Sequence, residues 1–195
     1  MDTRTTRATR KITADDANLI IQTIRVTIHT TGKFFEGDTR SGNHASIYLL
    51  IEDGSSIRLN MIKAGPTDRM GTYDPKYCNY HDSTSSIRNF DVQATSGLTV
   101  NHVLSLVNER RRHIYRLARS GVGCRFWVLV IPDADYYIFL ANLYLSQTVI
   151  KDIDESCFVA SSSPLDAATV VDGLRYNYSR LKTPEFEEVD PGTFV

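Results

Sequence analysis

Alternating apolar and polar positions predict an antiparallel sheet in the first half of the chain. Apolar side chains recur at every second position from 24 to 28, which is the period of a half-buried strand. Two further strand-like runs, 44–52 and 56–63, flank Asp53-Gly54-Ser55. An Asp-Gly pair readily adopts the positive φ of a tight hairpin, so these two runs predict a β-hairpin.

The connection from 64 to 86 is rich in Gly, Pro and polar residues, and it precedes a further predicted strand at 87–94. It is long for a structureless connection, so we expect either a functional flap or local structure of its own. The apolar run 125–131 follows Gly121-Val122-Gly123 and Cys124. Periodicity leaves two readings open, a strand or a buried helix that continues past Pro132 to Leu145.

Two segments have the spacing of amphipathic helices. The first begins after Thr99, a good N-cap, and ends at the basic run 110–112, where cations suit the negative end of the helix dipole. The second begins with Ser163 as the cap and Pro164 at the first helical position, and it ends near Arg180. Together the elements predict an α+β fold, a small antiparallel sheet packed against helices.

Length and charge predict one domain with charged ends. The chain has 195 residues and a net charge of −1. Residues 1–18 are expected to form a flexible basic arm, 19–181 a single globular domain and 182–195 an acidic tail.

The composition argues against several classes of partner. A near-neutral chain lacks the basic field of a nucleic-acid binder, and no apolar stretch is long enough to span a membrane. The three cysteines form no disulfide framework, and the N-terminus has no secretory pattern, so we expect free thiols and a cytoplasmic location. Without metal-ligand spacing or a phosphate-binding loop, no cofactor is expected. The oligomeric state is left open.

Cys124 is the residue with the most reactive predicted setting. A thiol at a helix N-terminus, beside glycines and an arginine, has its thiolate stabilised by backbone N–H groups and positive charge. Backbone N–H groups near Gly123 and Arg125 would then hold an oxyanion. The alternative is a small buried hydrophobic residue, a frequent role of free cysteine. Cys78 and Cys157 have no comparable setting.

A thiol nucleophile needs a base, and His44 is the best candidate among five histidines. It opens a predicted strand after Gly42-Asn43, where its ring can project into a cleft and accept the thiol proton. Asn60 on the next strand could orient that ring. A strand-end histidine that binds a neighbouring carbonyl is the alternative. The expected lining of a substrate or ligand cleft comprises Asn43, Tyr48, Tyr73, Tyr77 and Trp127.

Three sequence blocks carry a resemblance to known families. Asn43-His44-Ala45-Ser46-Ile47-Tyr48-Leu49-Leu50, Ser56-Ile57-Arg58-Leu59-Asn60-Met61 and Gly121-Val122-Gly123-Cys124-Arg125-Phe126-Trp127-Val128 resemble a fungal domain family of unknown function. More distantly, a histidine on a hairpin strand that precedes a cysteine opening a helix resembles the permuted papain-like superfamily. That superfamily includes cell-wall peptidases, lecithin:retinol acyltransferase and certain deubiquitinating peptidases. The usual Asn-Cys pair before the helix is Gly-Cys here.

The distant resemblance implies Cys124 as nucleophile, His44 as base and Asn60 as the orienting residue. We therefore expect a cysteine-dependent hydrolase or acyltransferase that acts on a thioester, ester or amide. Its substrate would be a small molecule or an acyl carrier, with fungal secondary metabolism as one setting. The alternative is a non-enzymatic domain that binds a ligand or partner in an aromatic-lined cleft.

Overall fold

The computed structural model describes residues 7–33, 36, 41–63, 65, 68–118, 124–128, 153, 160, 167–187, 189 and 192–195. Its first strands are β1 (Thr9–Arg10), β2 (Ile21–Lys33), β3 (Ser41–Ile51), β4 (Ser56–Leu59), β5 (Met61–Lys63), β6 (Gly71–Tyr73), β7 (Lys76–Cys78) and β8 (Ser86–Gln93). Short strands follow at β9 (Tyr115–Arg116), β10 (Tyr176–Asn177), β11 (Glu185–Phe186) and β12 (Thr193–Phe194). The described helices are a 3₁₀ turn at Asp16–Asn18, α1 (Val100–Glu109), α2 (Cys124–Val128) and α3 (Ala167–Gly173).

A six-stranded antiparallel sheet in the order β1-β7-β4-β3-β2-β8 organises the described chain. The predicted hairpin joins β3 and β4, with Gly54 at a φ of 87° and the Asp53 carboxylate accepting the Ser55 N–H at 2.8 Å. The prediction of an antiparallel sheet is therefore confirmed. The expectation of a small sheet in an α+β fold is corrected, because strands dominate the described residues and the fold is mostly β.

Successive side chains of a strand point to opposite faces, so the sheet has a core face and a polar face. On the core face, Ile24, Val26 and Ile28 of β2 pack with residues of β3 and β4 and with α1 and α2. On the polar face the neighbours of β2 and β3 include His29 and His44. A smaller apolar cluster on the polar face contains Tyr48, Leu50 and Cys78.

The 64–86 connection contains two strands rather than an open flap. β7 enters the main sheet beside β4, and β6 pairs with β5 in a separate two-stranded sheet. Each strand is only three residues long, and its partner lies elsewhere in the chain. Local periodicity cannot detect such short nonlocal strands, which is why the sequence left this segment unassigned.

The predicted strand 56–63 is divided at Asn60. Its first part is β4 in the main sheet, and its second part is β5, which pairs with β6. The Asn60 carbonyl accepts a hydrogen bond from the backbone N–H of Asp74 at 2.8 Å. The chain therefore leaves β3 at Asn60, and this departure shapes the site described below.

Both predicted charged ends contribute to folded structure. β1 pairs with β7, and Arg10 donates to Asp16 while its guanidinium lies 3.8 Å from the Tyr77 ring centroid. At the other end, β11 pairs with β10 and β12 with β9. Composition does not reveal this backbone pairing or these ion pairs with distant strands.

The helices agree with the sequence in part. α1 is confirmed, with a Thr99 capping box that involves His102. The ambiguity after the glycines is decided for helix over Cys124–Val128, whereas 129–145 lies outside the described residues, as do Ser163 and Pro164.

The prediction that the final helix ends near Arg180 is wrong, because α3 stops at Gly173. A Cβ at Gly173 would lie 2.3 Å from the Phe90 ring, so any other residue there would require that ring to move. No helix among the described residues has the length and apolar character needed to cross a membrane.

Candidate active site

The site lies where β4 separates from β3. Within the described strands, the β3–β4 register ends at Ile47 and Leu59, so the first half of β3 is open on that side. The N-terminus of α2 approaches this part of β3. Trp127 anchors the helix, because it is fully buried and its indole N–H donates to the carbonyl of Arg112 at 2.7 Å.

Cys124, the first residue of α2, contacts His44 and the backbone of β3. The pKa of its thiol responds to the His44 side chain and to the backbone N–H of Ala45, which places both groups beside the sulfur. Burial by itself raises the pKa of the Cys124 thiol, but the adjacent His44, the Ala45 N–H and Arg125 outweigh burial and lower that pKa below the usual range. The residue as a whole is half-buried. A thiolate at this position is therefore stabilised by its neighbours.

His44 connects Cys124 to Asn60. Its Nε2 lies 2.6 Å from the Asn60 Oδ1, and an amide oxygen can only accept, so Nε2 carries a proton. Nδ1 is thereby left as the ring nitrogen that can accept or release a second proton. Burial by itself lowers the pKa of His44. The nearby Cys124 and the Asn60 hydrogen bond raise it by more, so the pKa of His44 lies above its ordinary value. Both shifts favour the charged form of the group concerned, the imidazolium of His44 and the thiolate of Cys124.

The backbone holds Asn60 in place for this contact. Asn60 is largely buried between β4 and β5, and its carbonyl accepts the Asp74 N–H. His44 in turn belongs to the long β2–β3 ladder, opposite His29. Two different strands therefore fix the imidazole and the amide, as preorganised polar groups require.

His29 forms a buried polar layer beside His44, and sequence reasoning missed it. The two ring centroids are 5.9 Å apart, and His29 Nε2 lies 2.6 Å from the Ser46 hydroxyl oxygen while its Nδ1 lies 2.9 Å from that of Ser85. Burial, His44 and Arg58 lower the pKa of His29 to about 3. His29 is therefore neutral near neutral pH, whereas the pKa of the adjacent His44 is raised. The position of His29 beside His44 follows from the β2–β3 register, and the sequence of one strand does not reveal how it pairs with another.

Arg58 is a second residue that sequence reasoning missed. It precedes Asn60 by two positions and lies opposite Tyr48 across the β3–β4 ladder. Its guanidinium is half-buried, and its positive charge lowers the pKa of His44 and His29. Alternate residues of a strand share one face of the sheet, so the sequence could have placed Arg58 on the same face as Ser56 and Asn60. It could not have shown that this face contains the site.

Three predicted cleft residues lie elsewhere. Tyr48 is 1% exposed and Trp127 is 0% exposed, so both belong to packed clusters rather than to a surface cleft. Tyr77 faces the core side of the sheet beneath Arg10. Large aromatic side chains bury extensive area in a core, and this packing outweighs the ligand role expected from the sequence.

The remaining predicted residues have mixed positions. The Asn43 amide is engaged with the backbone of Tyr178, donating to its carbonyl at 2.9 Å and accepting its N–H at 2.7 Å. Tyr73 is half-buried, with its ring centroid 5.9 Å from that of Trp127, and its buried hydroxyl has no hydrogen-bond partner among the described residues. The Arg125 side chain turns away to Glu187 and the carbonyl of Tyr176.

Gly123 lies outside the described residues, as does Cys157. Cys78 is completely buried in β7, where burial raises the pKa of its thiol. Cys78 and Cys124 therefore differ in both accessibility and predicted reactivity. Within the described ranges, no cluster of three or more His, Cys, Asp or Glu side chains is arranged to hold a metal ion.

Comparison with known families places the chain in a group without an assigned activity. A family model described as a domain of unknown function, DUF7770, matches residues 24–134, which is more than half of the chain. The chain therefore belongs to the DUF7770 family, and the expectation of a family of unknown function is confirmed. No curated protein and no solved structure gives a significant match.

Proposed function

We propose that this member of the DUF7770 family is a cysteine-dependent hydrolase or acyltransferase with Cys124 as nucleophile, His44 as base and Asn60 as the residue that orients the base. The observation that carries the proposal is the continuous contact from the Cys124 sulfur through the His44 ring to the Asn60 amide. A histidine that merely packs at a strand end does not need both a thiol and an amide partner on opposite sides of its ring.

In the proposed reaction the Cys124 thiolate attacks the carbonyl carbon of a thioester, ester or amide. An S–C bond forms, the carbonyl oxygen becomes an oxyanion, and backbone N–H groups at the start of α2, including that of Arg125, are the proposed donors to it. The His44 imidazolium then gives its proton to the leaving group as the original acyl bond breaks.

The second half of the reaction regenerates the starting pair. His44 removes a proton from water or from an acceptor nucleophile, which attacks the acyl-enzyme. The S–C bond breaks, the acyl group leaves as an acid or as a new ester, thioester or amide, and the sulfur departs as the thiolate beside the His44 imidazolium. Asn60 keeps the ring in the tautomer that presents Nδ1 to the sulfur throughout.

The order of the elements supports a permuted papain-like architecture as part of the proposal. His44 lies on a strand, Asn60 follows at the end of the next strand, and Cys124 opens a later helix. This is the order that the resemblance implied. The alternative of an aromatic-lined binding domain loses support, because Tyr48 and Trp127 are buried in packed clusters.

Turnover of activated thioesters by the purified chain tests the proposal. We expect Cys124→Ala to abolish turnover and His44→Gln to reduce it by at least about a thousandfold, since nucleophile and base act as a unit. Cys78→Ala serves as the matched control, because it also removes a thiol but lies far from His44 in the sheet register; we expect it to keep turnover per folded molecule. Equal activity of the Cys124→Ala variant and the wild type would refute the assignment.

Alkylation provides a test that needs no substrate. Iodoacetamide near neutral pH should modify Cys124 well before Cys78, with the modified site identified by peptide mass spectrometry. The His44→Gln variant should lose this advantage, because the imidazolium no longer stabilises the thiolate. Equal labelling rates of the two thiols in the wild type would contradict an activated cysteine.

A further inference from the structure

We propose that Arg58 forms a binding site for a small anionic group, a carboxylate or a phosphate, beside Cys124, His44 and Asn60, so that the preferred acyl donor is negatively charged. The link to catalysis rests on the proposed function. The anion site itself rests only on the geometry around Arg58.

Backbone geometry places the Arg58 head group at the Asn60 end of its strand. Arg58 pairs with Tyr48 on one side and Lys76 on the other. Its Nη2 extends toward the Asp74 carboxylate, and the backbone N–H of Asp74 donates to the Asn60 carbonyl. The guanidinium is therefore linked through Asp74 to the residue that holds His44.

The guanidinium is poorly satisfied by its surroundings. Its Nε is buried and has no hydrogen-bond partner within the described part of the chain. The Nη2 lies 3.5 Å from the Asp74 carboxylate, at the outer limit of a hydrogen bond, and Lys76 Nζ approaches the same oxygen at 3.3 Å. Tyr48 supplies only a neutral hydroxyl. Buried donors without acceptors are costly, so an additional acceptor would be favourable here.

The local charges leave an excess of positive charge. Arg58 and Lys76 share the single carboxylate of Asp74, and the three side chains are each partly exposed, at 22%, 36% and 23% respectively. A planar guanidinium with free donors matches the two oxygens of a carboxylate or phosphate. An acyl donor with such a group would be held by Arg58 while its carbonyl lies near Cys124.

Binding of small anions tests the site without any catalytic assay. Succinate and inorganic phosphate are titrated at constant ionic strength, with thermal stabilisation as the readout, against wild type, Arg58→Gln and the control Arg88→Gln. Arg88 is an exposed cation on β8 of the same sheet. We expect the half-maximal anion concentration to rise at least tenfold in Arg58→Gln and to change less than twofold in Arg88→Gln.

The two anions distinguish the possible ligands. Stabilisation by succinate alone assigns a carboxylate site, and stabilisation by phosphate alone assigns a phosphate site. Absence of stabilisation of the wild type by either anion, or an equal response of Arg58→Gln, overturns the proposal. If Arg58→Gln does not fold, Arg58→Lys takes its place, because lysine keeps the positive charge but lacks the planar guanidinium. We expect Arg58→Lys to weaken anion binding at least threefold. Unchanged anion binding by Arg58→Lys would overturn the proposal.

Paired acyl donors test the link to catalysis. Adipoyl and hexanoyl thioesters of N-acetylcysteamine have acyl chains of equal length and differ by one terminal carboxylate. We expect Arg58→Gln to reduce kcat/KM at least tenfold for the adipoyl thioester and less than threefold for the hexanoyl thioester. An equal reduction for both would overturn the role in specificity. Failure of the wild type to use either thioester would count against the proposed function, while the anion titration still decides on the site.

Discussion

Removal of the Asn60 side chain should weaken the site by an amount that the structure allows us to work out. The Nε2–Oδ1 contact of 2.6 Å joins a largely buried amide to a ring that carries positive charge in the active pair. A hydrogen bond to a charged group is worth about 1.5–3 kcal/mol, and about 1.4 kcal/mol corresponds to a factor of ten in rate. We therefore expect Asn60→Ala to reduce kcat/KM by roughly ten- to a hundredfold.

The same substitution should narrow the pH range of activity. Asn60 helps to raise the pKa of His44, so its removal lowers that pKa and moves the basic limb of the rate profile to lower pH. A less stable imidazolium also stabilises the thiolate less, so the pKa of Cys124 rises and the acidic limb moves to higher pH. In Asn60→Asp, the carboxylate favours the imidazolium, and the basic limb should move to higher pH.

The assay is kcat/KM for a thioester as a function of pH, together with the pH dependence of Cys124 alkylation. Alkylation reports the thiolate directly and does not depend on the choice of substrate. Asn101→Ala, an exposed position on α1, is the matched control and should leave both profiles unchanged. A uniform loss of rate in Asn60→Ala with both limbs unmoved would refute the reasoning, because it would indicate damage to folding rather than loss of a partner for His44.

Three further predictions concern stability. Burial lowers the pKa of His29 from 6.5 to about 3, so the folded state keeps this histidine neutral and loses stability as the pH falls below 6.5. In urea unfolding, the free energy of unfolding should fall by about 1.5 kcal/mol more between pH 6.5 and 5 than it does in His29→Gln. Asn43→Ala should cost about 1–3 kcal/mol and increase hydrogen exchange around Tyr178, whereas unchanged exchange there would contradict the assigned contact. Asp16→Asn should cost about 1–3 kcal/mol at pH 7, measured by urea unfolding. The hydrogen bond from Arg10 lowers the pKa of Asp16, so this difference should shrink as pH falls below the ordinary carboxyl pKa and vanish only when the folded carboxyl is protonated as well; a constant difference would argue against the ion pair.

Local patterns were sufficient for the elements that depend on nearby residues. The β3–β4 hairpin follows from the Asp53-Gly54 turn, and α1 follows from the Thr99 cap with its apolar stripe. These features act over a few residues, so the chain reveals them without knowledge of its fold. The short strands β6 and β7 depend on partners elsewhere in the chain, and no local period indicated them.

The candidate site shows the same division between local and tertiary information. The residue types and local settings of Cys124, His44 and Asn60 were readable from the sequence, because thiol and imidazole chemistry and turn signals are local properties. Their mutual contact was not readable, since it depends on β4 leaving β3 at Asn60 and on α2 reaching the opened strand. The burial of Tyr48 and Trp127 likewise followed from packing rather than from residue type.

The amino-acid sequence by itself thus determined which side chains have reactive chemistry and where the chain turns. Only the tertiary structure decided which of them meet, placing His29 and Arg58 beside the site and the predicted cleft aromatics Tyr48 and Trp127 in packed clusters. The physical reason is that side-chain chemistry and turn preference are set by neighbours in the chain. The environment that shifts a pKa or leaves a donor unsatisfied is set by residues that only folding brings together.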